Sequence, residues 1–174
     1  QLRVGRGGEV GGIEFGLATD GHHVYAPVVD MNADMTSSGS LTAIDLMTGR
    51  AAWRVEGIEA HCDGKPTPPC GNAVLAPPTV AGRVVFAGLL DGTLRAWHAD
   101  TGEPLAVWDT VREYDGVNGI AGRGGSLGNG GPVVVGRTIY INSGFNMLNV
   151  GFPGNVLLAL EIRESGAVAA GEAA

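Results

Sequence analysis

The chain has 174 residues, 44% of them hydrophobic, with 30 glycines and a net charge of −7, which suits one packed domain. Its scattered Lys and Arg make no phosphate-binding stripe, and no run approaches the roughly 18 apolar residues of a membrane span, which argues against nucleic acid and against a helical membrane anchor. Long Ala/Leu/Glu/Lys runs are missing and turn residues recur at intervals of about ten, the composition of an all-β fold.

The chain opens on Gln1 and lacks the charged start and apolar core of a signal peptide, so the natural N-terminus is expected upstream. A glycine-rich loop, Gly11 to Gly16, leads to Gly21-x-x-x-Tyr25, a turn four residues ahead of an aromatic. The loop from Asp30 to Ser38 then precedes Gly39-x-Leu41-x-Ala43-x-Asp45-x-x-Thr48-Gly49. Alternation puts Leu41, Ala43 and Asp45 on one face of a strand, and Thr-Gly supplies a tight turn. Trp53 follows on a fourth strand, where its ring can fill the space between neighbouring sheets.

The next connection, Val55 to Ala76, carries both cysteines. Cys62 and Cys70 lack the paired spacing and the histidines of a zinc site, which leaves a short-loop disulfide or two free thiols; the disulfide, the favoured reading, implies an oxidising compartment. The pattern then repeats. Pro78-Thr79-Val80 is a first strand, Gly82-x-x-x-Phe86 matches the earlier turn, and Gly92-x-Leu94-x-Ala96-x-His98-x-x-Thr101-Gly102 matches the eleven-residue motif, with Trp108 after it. A third copy has Pro132 to Val135, Gly136-x-x-x-Tyr140 and Val156-Leu157-Leu158-Ala159-Leu160, but no turn motif or tryptophan follows, so its last strand is expected to be missing. Residues 163–174 read as a frayed small-residue tail behind a domain of residues 1–162.

Leu41 to Leu94 is 53 positions and Leu94 to Leu157 is 63. Four short strands per unit at that period indicate about three blades of a β-propeller, the competing fold being a β-sandwich with accidental similarity. Three blades cannot close a ring, so the strand edges and the outer face of the first blade are expected to be uncovered. In a four-stranded meander, the loop between strands two and three and the loop to the next blade open at the same end. Here that end carries the long loops: Asp30 to Ser38, Val55 to Ala76, Thr110 to Gly130 and Ser143 to Pro153. Long loops on a rigid scaffold are where binding resides. Their polar candidates are Glu14, Asp34, Asn118, Arg123 and Asn146. Each has a structural alternative: Glu14 accepting backbone N–H groups, Asn118 forming a turn, Arg123 merely solvated. His61 and His98 read as structural or exposed.

These motifs resemble the quinoprotein (PQQ) propeller repeats. The likeness to the C-terminal region of polyvinyl-alcohol dehydrogenases rests on Gly11 to Gly16, Asp91 to Ala96, Val117-Asn118-Gly119 with Gly124-Gly125-Ser126, Tyr140 to Gly144, and Pro153 to Ala159. The resemblance implies a fragment of a seven- or eight-bladed propeller whose parent oxidises alcohol groups. In that chemistry a divalent cation, usually calcium, polarises a quinone carbonyl, a carboxylate takes the hydroxyl proton, and hydride passes to the ring. Implied partners are the remaining blades, an alcohol or polymer substrate and a cytochrome acceptor, in a periplasmic or secreted protein. Glu14, Asn118 and Arg123 would then face the quinone, and Glu14, Asp34 and Asn118 would offer oxygen to the cation. The adjacent cysteine pair that packs on the quinone in many such enzymes is absent, as is a Cys-x-x-Cys-His haem sequence, so a haem c would lie in the missing N-terminal part. No catalytic base is assigned, and the fragment alone is not expected to be active. The alternative is a non-catalytic propeller that binds protein or polymer.

Overall fold

The computed structural model describes residues 1–34, 36–65, 70–145, 150–162 and 168–170, and among them there are fourteen strands and no helix. The first sheet is a meander of β1 (Ala18–Thr19), β2 (His23–Val28), β3 (Ser40–Asp45) and β4 (Ala51–Val55), each antiparallel to the next. The second repeats it with β5 (Thr79–Ala81), β6 (Val84–Gly88), β7 (Thr93–His98) and β8 (Pro104–Asp109). A separate hairpin of β9 (Glu113–Asp115) and β10 (Ala121–Arg123) precedes the third meander, β11 (Val133–Val135), β12 (Thr138–Ser143), β13 (Val156–Ile162) and β14 (Val168–Ala170). This is the partial propeller that the repeats predict.

One strand departs from expectation. The third blade has a fourth strand of its own, because Val168–Ala170 pairs with β13 from Leu160↔Ala170 to Ile162↔Val168. Strand pairing uses backbone groups alone, so small side chains suffice where the turn motif and tryptophan are absent. The remainder of the tail, 163–167 and 171–174, lies outside the described residues.

The blades stack through two cores. Tyr25, Leu41 and Ala43 of the first blade meet Val85, Ala87 and Trp97 of the second. Phe86, Leu94 and Ala96, on the second blade's other face, meet Ile139, Ile141, Leu158 and Leu160 of the third. Trp53 locks the first interface by donating its indole N–H to the Ala99 carbonyl at 2.7 Å. Its ring lies over Gly102, which turns at φ +72°; a Cβ there would sit 2.7 Å from the ring, so the turn needs glycine for both backbone and space.

The outer face of the first blade is not bare. Ala26, Val28, Ser40 and Thr42 are at most 1% exposed, although no sheet among the described residues packs there. The N-terminal segment runs along it: Gly5 abuts Val28, the Val29 N–H donates to Gly12 O, and the Met31 N–H donates to Val10 O. Arg3 to Arg6 and Arg54 border a cleft of about 210 Å³ beside it. Among the described residues no helix is long and apolar enough to cross a membrane.

Candidate functional site

Antiparallel pairing through each meander puts the turns β1–β2 and β3–β4 at one end and the β2–β3 and inter-blade connections at the other. The long loops therefore share an end. Buried polar groups hold them there.

Asp30 follows β2 with a buried side chain and φ +43°, an uncommon conformation for a residue with a Cβ. It aims its carboxylate at the N-terminal segment, accepting the N–H groups of Arg6 at 2.7 Å, Gly7 at 3.2 Å and Gly12 at 3.1 Å. Burial alone would raise its pKa. The backbone donors from Arg6, Gly12 and Gly7 and the Arg6 charge outweigh it and hold the carboxyl below its ordinary value.

Asp91 occupies the matching place after β6 and is fully buried. It accepts Thr93 N–H at 2.8 Å, His61 N–H at 2.9 Å and the Arg95 guanidinium at 3.0 Å. Arg95 continues to the Glu59 carbonyl at 2.6 Å. Lys65 spans the same turn, its ammonium 2.7 Å from Asp91 O and 2.9 Å from the Asp109 carboxylate. Cys62 and Cys70 form a disulfide, with Cα atoms 5.7 Å apart, so the connector is closed covalently beside this ionic clamp. At the third blade the matching position is Phe145 and no carboxylate stands there; within β12 the Ser143 hydroxyl accepts Gly125 N–H at 2.8 Å and lies 2.8 Å from Thr110 Oγ1.

The candidates read from the sequence occupy separate parts of this end. Glu14 is exposed ahead of β1 and makes no side-chain hydrogen bond among the described residues, and partial desolvation raises its carboxyl above the ordinary value. Asp34 is exposed and bonded within its loop; its carboxylate accepts the Thr36 hydroxyl at 2.6 Å and the Thr36 N–H at 3.1 Å, which lowers its pKa. Asn118 forms the tip of the β9–β10 hairpin, its carbonyl accepting Ile120 N–H at 3.1 Å. Arg123 ends β10 with its guanidinium 3.7 Å from Glu113 across the hairpin. Asn146 lies outside the described residues. His61 contributes its backbone N–H, and His98 accepts Asp100 N–H at 3.3 Å, a local bond.

The structure brings Arg123 close to Asn155, whose side-chain carbonyl accepts the Arg123 N–H at 2.9 Å, and leaves Glu14, Asp34 and Asn118 on different loops. Among the described residues no group of three or more His, Cys, Asp or Glu side chains could hold a metal ion. Asp30 and Asp91 were not among the candidates, yet a signal for them exists: each stands five positions after the aromatic of its second strand, Tyr25 or Phe86.

No family model matches the chain. It is 30% identical over 168 residues to a polyvinylalcohol dehydrogenase of Pseudomonas sp, and 31% identical over 176 residues to one of Sphingopyxis sp. (strain 113P3). These alignments cover 92% and 93% of this chain but only 26% of each relative, so the chain spans about a quarter of their length. Among solved structures it superposes on a europium-containing methanol dehydrogenase with a TM-score of 0.55, at 17% identity over 99% of this chain and 26% of that one. It also superposes on the quinohemoprotein alcohol dehydrogenase ADHIIG of Pseudomonas putida HK5 with a TM-score of 0.57, at 19% identity over 95% of this chain and 20% of that one. The superpositions bear out the partial propeller, and the sequence relatives bear out the resemblance carried by the repeat and loop motifs.

Proposed function

We propose that this chain is a stretch of a quinoprotein-type alcohol dehydrogenase of the polyvinyl-alcohol dehydrogenase kind, whose parent oxidises alcohol groups with PQQ and passes electrons to a cytochrome. The observation that carries the reading is the similarity at 30% and 31% identity along almost the whole chain to two proteins of that name. The shared placement of the long loops at one end of the stack supports it. Glu14, Asn118 and Arg123 are this chain's contribution toward a quinone, and Glu14, Asp34 and Asn118 toward a calcium ion. The remaining donors, the catalytic base and any haem c belong to the rest of the parent. The disulfide supports a periplasmic or secreted location, since such bonds persist in oxidising compartments.

The test is made on the full-length parent. Quinone absorbance and calcium affinity are expected to fall on Glu14→Gln or Asn118→Ala and to be unmoved by Arg83→Gln or Arg50→Gln, which change short turns at the opposite end. Equal effects from both pairs, or a parent that takes up no quinone, would overturn the reading. The second reading, a propeller scaffold that binds protein or polymer without catalysis, rests on the repeat motif, which specifies the fold and not the chemistry. A parent without quinone that still retains a polymer would establish it.

A further inference from the structure

Acidic residues outnumber Lys and Arg by 18 to 11 in this chain, yet three of its cations, Arg3, Arg6 and Arg54, line one cleft of about 210 Å³ beside the first blade. Val4, Gly5 and Asp30 complete the walls. Each guanidinium is held by bonds that use only part of its five N–H donors. Arg3 donates Nε to Gly5 O at 2.9 Å and Nη2 to Arg6 O at 3.4 Å. Arg6 donates Nη2 to Asp30 O at 2.9 Å and to Asn32 Oδ1 at 2.7 Å. Arg54 sets Nε 2.8 Å from the Glu56 carboxylate and Nη2 3.4 Å from Ser40 Oγ. Among the described residues, Nη1 of these three side chains makes no hydrogen bond. The one carboxylate in the lining, Asp30, is already engaged by the N–H groups of Arg6, Gly7 and Gly12. Thr42 pairs directly with Arg54 between β3 and β4 and so shares its face. It is 1% exposed, and its Oγ1 has no hydrogen-bond partner among the described residues.

We propose that this cleft is a binding site for a small oxyanion, the phosphate or carboxylate group of a free solute. Guanidinium forks match the paired oxygens of both groups, and the uncommitted Nη1 amines supply charge-assisted donors. The Thr42 hydroxyl adds a neutral donor on the same face. Because carbonyl, amide, hydroxyl or carboxylate acceptors already hold the three arginine side chains, an arriving anion has little side-chain freedom left to freeze. Three positive charges against one engaged carboxylate also reverse the sign of a chain whose net charge is −7, so anions concentrate there. The cleft is lined by none of Glu14, Asn118 and Arg123. The inference therefore does not rest on the enzyme reading.

Isothermal titration calorimetry of the full-length parent with sodium phosphate and with sodium succinate tests this, at an ionic strength held constant with sodium chloride. Saturable binding is expected: a response to one anion alone assigns the group, and a response to both assigns the shared oxyanion chemistry. Arg3→Gln and Arg54→Gln should each weaken it on the order of tenfold or more, the loss of one charge-assisted contact. Arg83→Gln, at the opposite end, should leave it unchanged. Arg3 bonds only within its own segment, so Arg3→Gln keeps the blade packing and decides the matter should Arg54→Gln melt early. No saturable heat from either anion, or equal losses in Arg3→Gln and Arg83→Gln, would overturn the proposal. Binding to the 174-residue chain but not to the parent would also overturn it, because the cleft would then be filled by another part of the parent. Quinone uptake is read separately: anion binding by a parent that takes up no quinone leaves this site standing while the enzyme reading fails.

Discussion

Single residues set how firmly blades and loops are tied. Gly102→Ala and Gly49→Ala make an informative pair, because both sit at positive φ but only the first faces a side chain, Trp53. Gly49→Ala should cost about 1–2 kcal/mol for the left-handed backbone alone. Gly102→Ala should cost that and about 1–3 kcal/mol more for displacing the ring, with a shift in Trp53 emission. Urea melts of the two variants check the difference. Asp30 and Asp20 govern the acid limb. Burial raises the Asp20 carboxyl, but the N–H groups of His23 and His22, the Tyr25 hydroxyl and the His23 side chain pull it well below its ordinary value. A depressed carboxyl adds stability that is present above its unfolded pKa, about 3.9, and is lost as pH falls through the folded value. Stability should therefore hold from pH 7 to about 4 and drop below it. Asp30→Asn or Asp20→Asn should flatten that drop, as measured by denaturant melts across pH.

At the scale of elements, the connectors matter more than the strands. The connector from β4 to β5 is held by the Cys62–Cys70 disulfide and by Lys65 and Asp91. Cys62→Ser with Cys70→Ser should cost about 2–3 kcal/mol, the loop-closure value for so short a ring. Proteolysis should then cut between residues 59 and 72 while the three sheets stay protected. Asp91→Ala should cost more, about 3–5 kcal/mol, since it strands the buried Arg95 charge. Thermal melts of both variants decide the order.

At the scale of the molecule, the second blade takes part in both cores, so the stack should unfold as one unit. Leu41→Ala removes a fully buried side chain from the first core and Leu158→Ala one from the second, each at about 2–5 kcal/mol. Both should lower a single transition on which tryptophan fluorescence and circular dichroism coincide. Separate transitions would show that the blades melt independently, as loosely coupled repeats do.

Much of this was written in one dimension. The spacing of Tyr25, Phe86 and Tyr140, and of Leu41, Leu94 and Leu157, gave the blades, their strand order and the end with the long loops, because pleat and turn chemistry are local and repeat with the sequence. Three other features were decided by tertiary structure. Asp30 became a clamp because the N-terminal segment folds back on the first blade. Val168–Ala170 became a strand because β13 offered a free edge. Glu14, Asp34 and Asn118 stayed on separate loops because each connector is pinned by its own carboxylate, hydroxyl or hairpin. Local pattern fixes which residues share a face; which faces meet depends on contacts between segments far apart in the chain, and those no local spacing records.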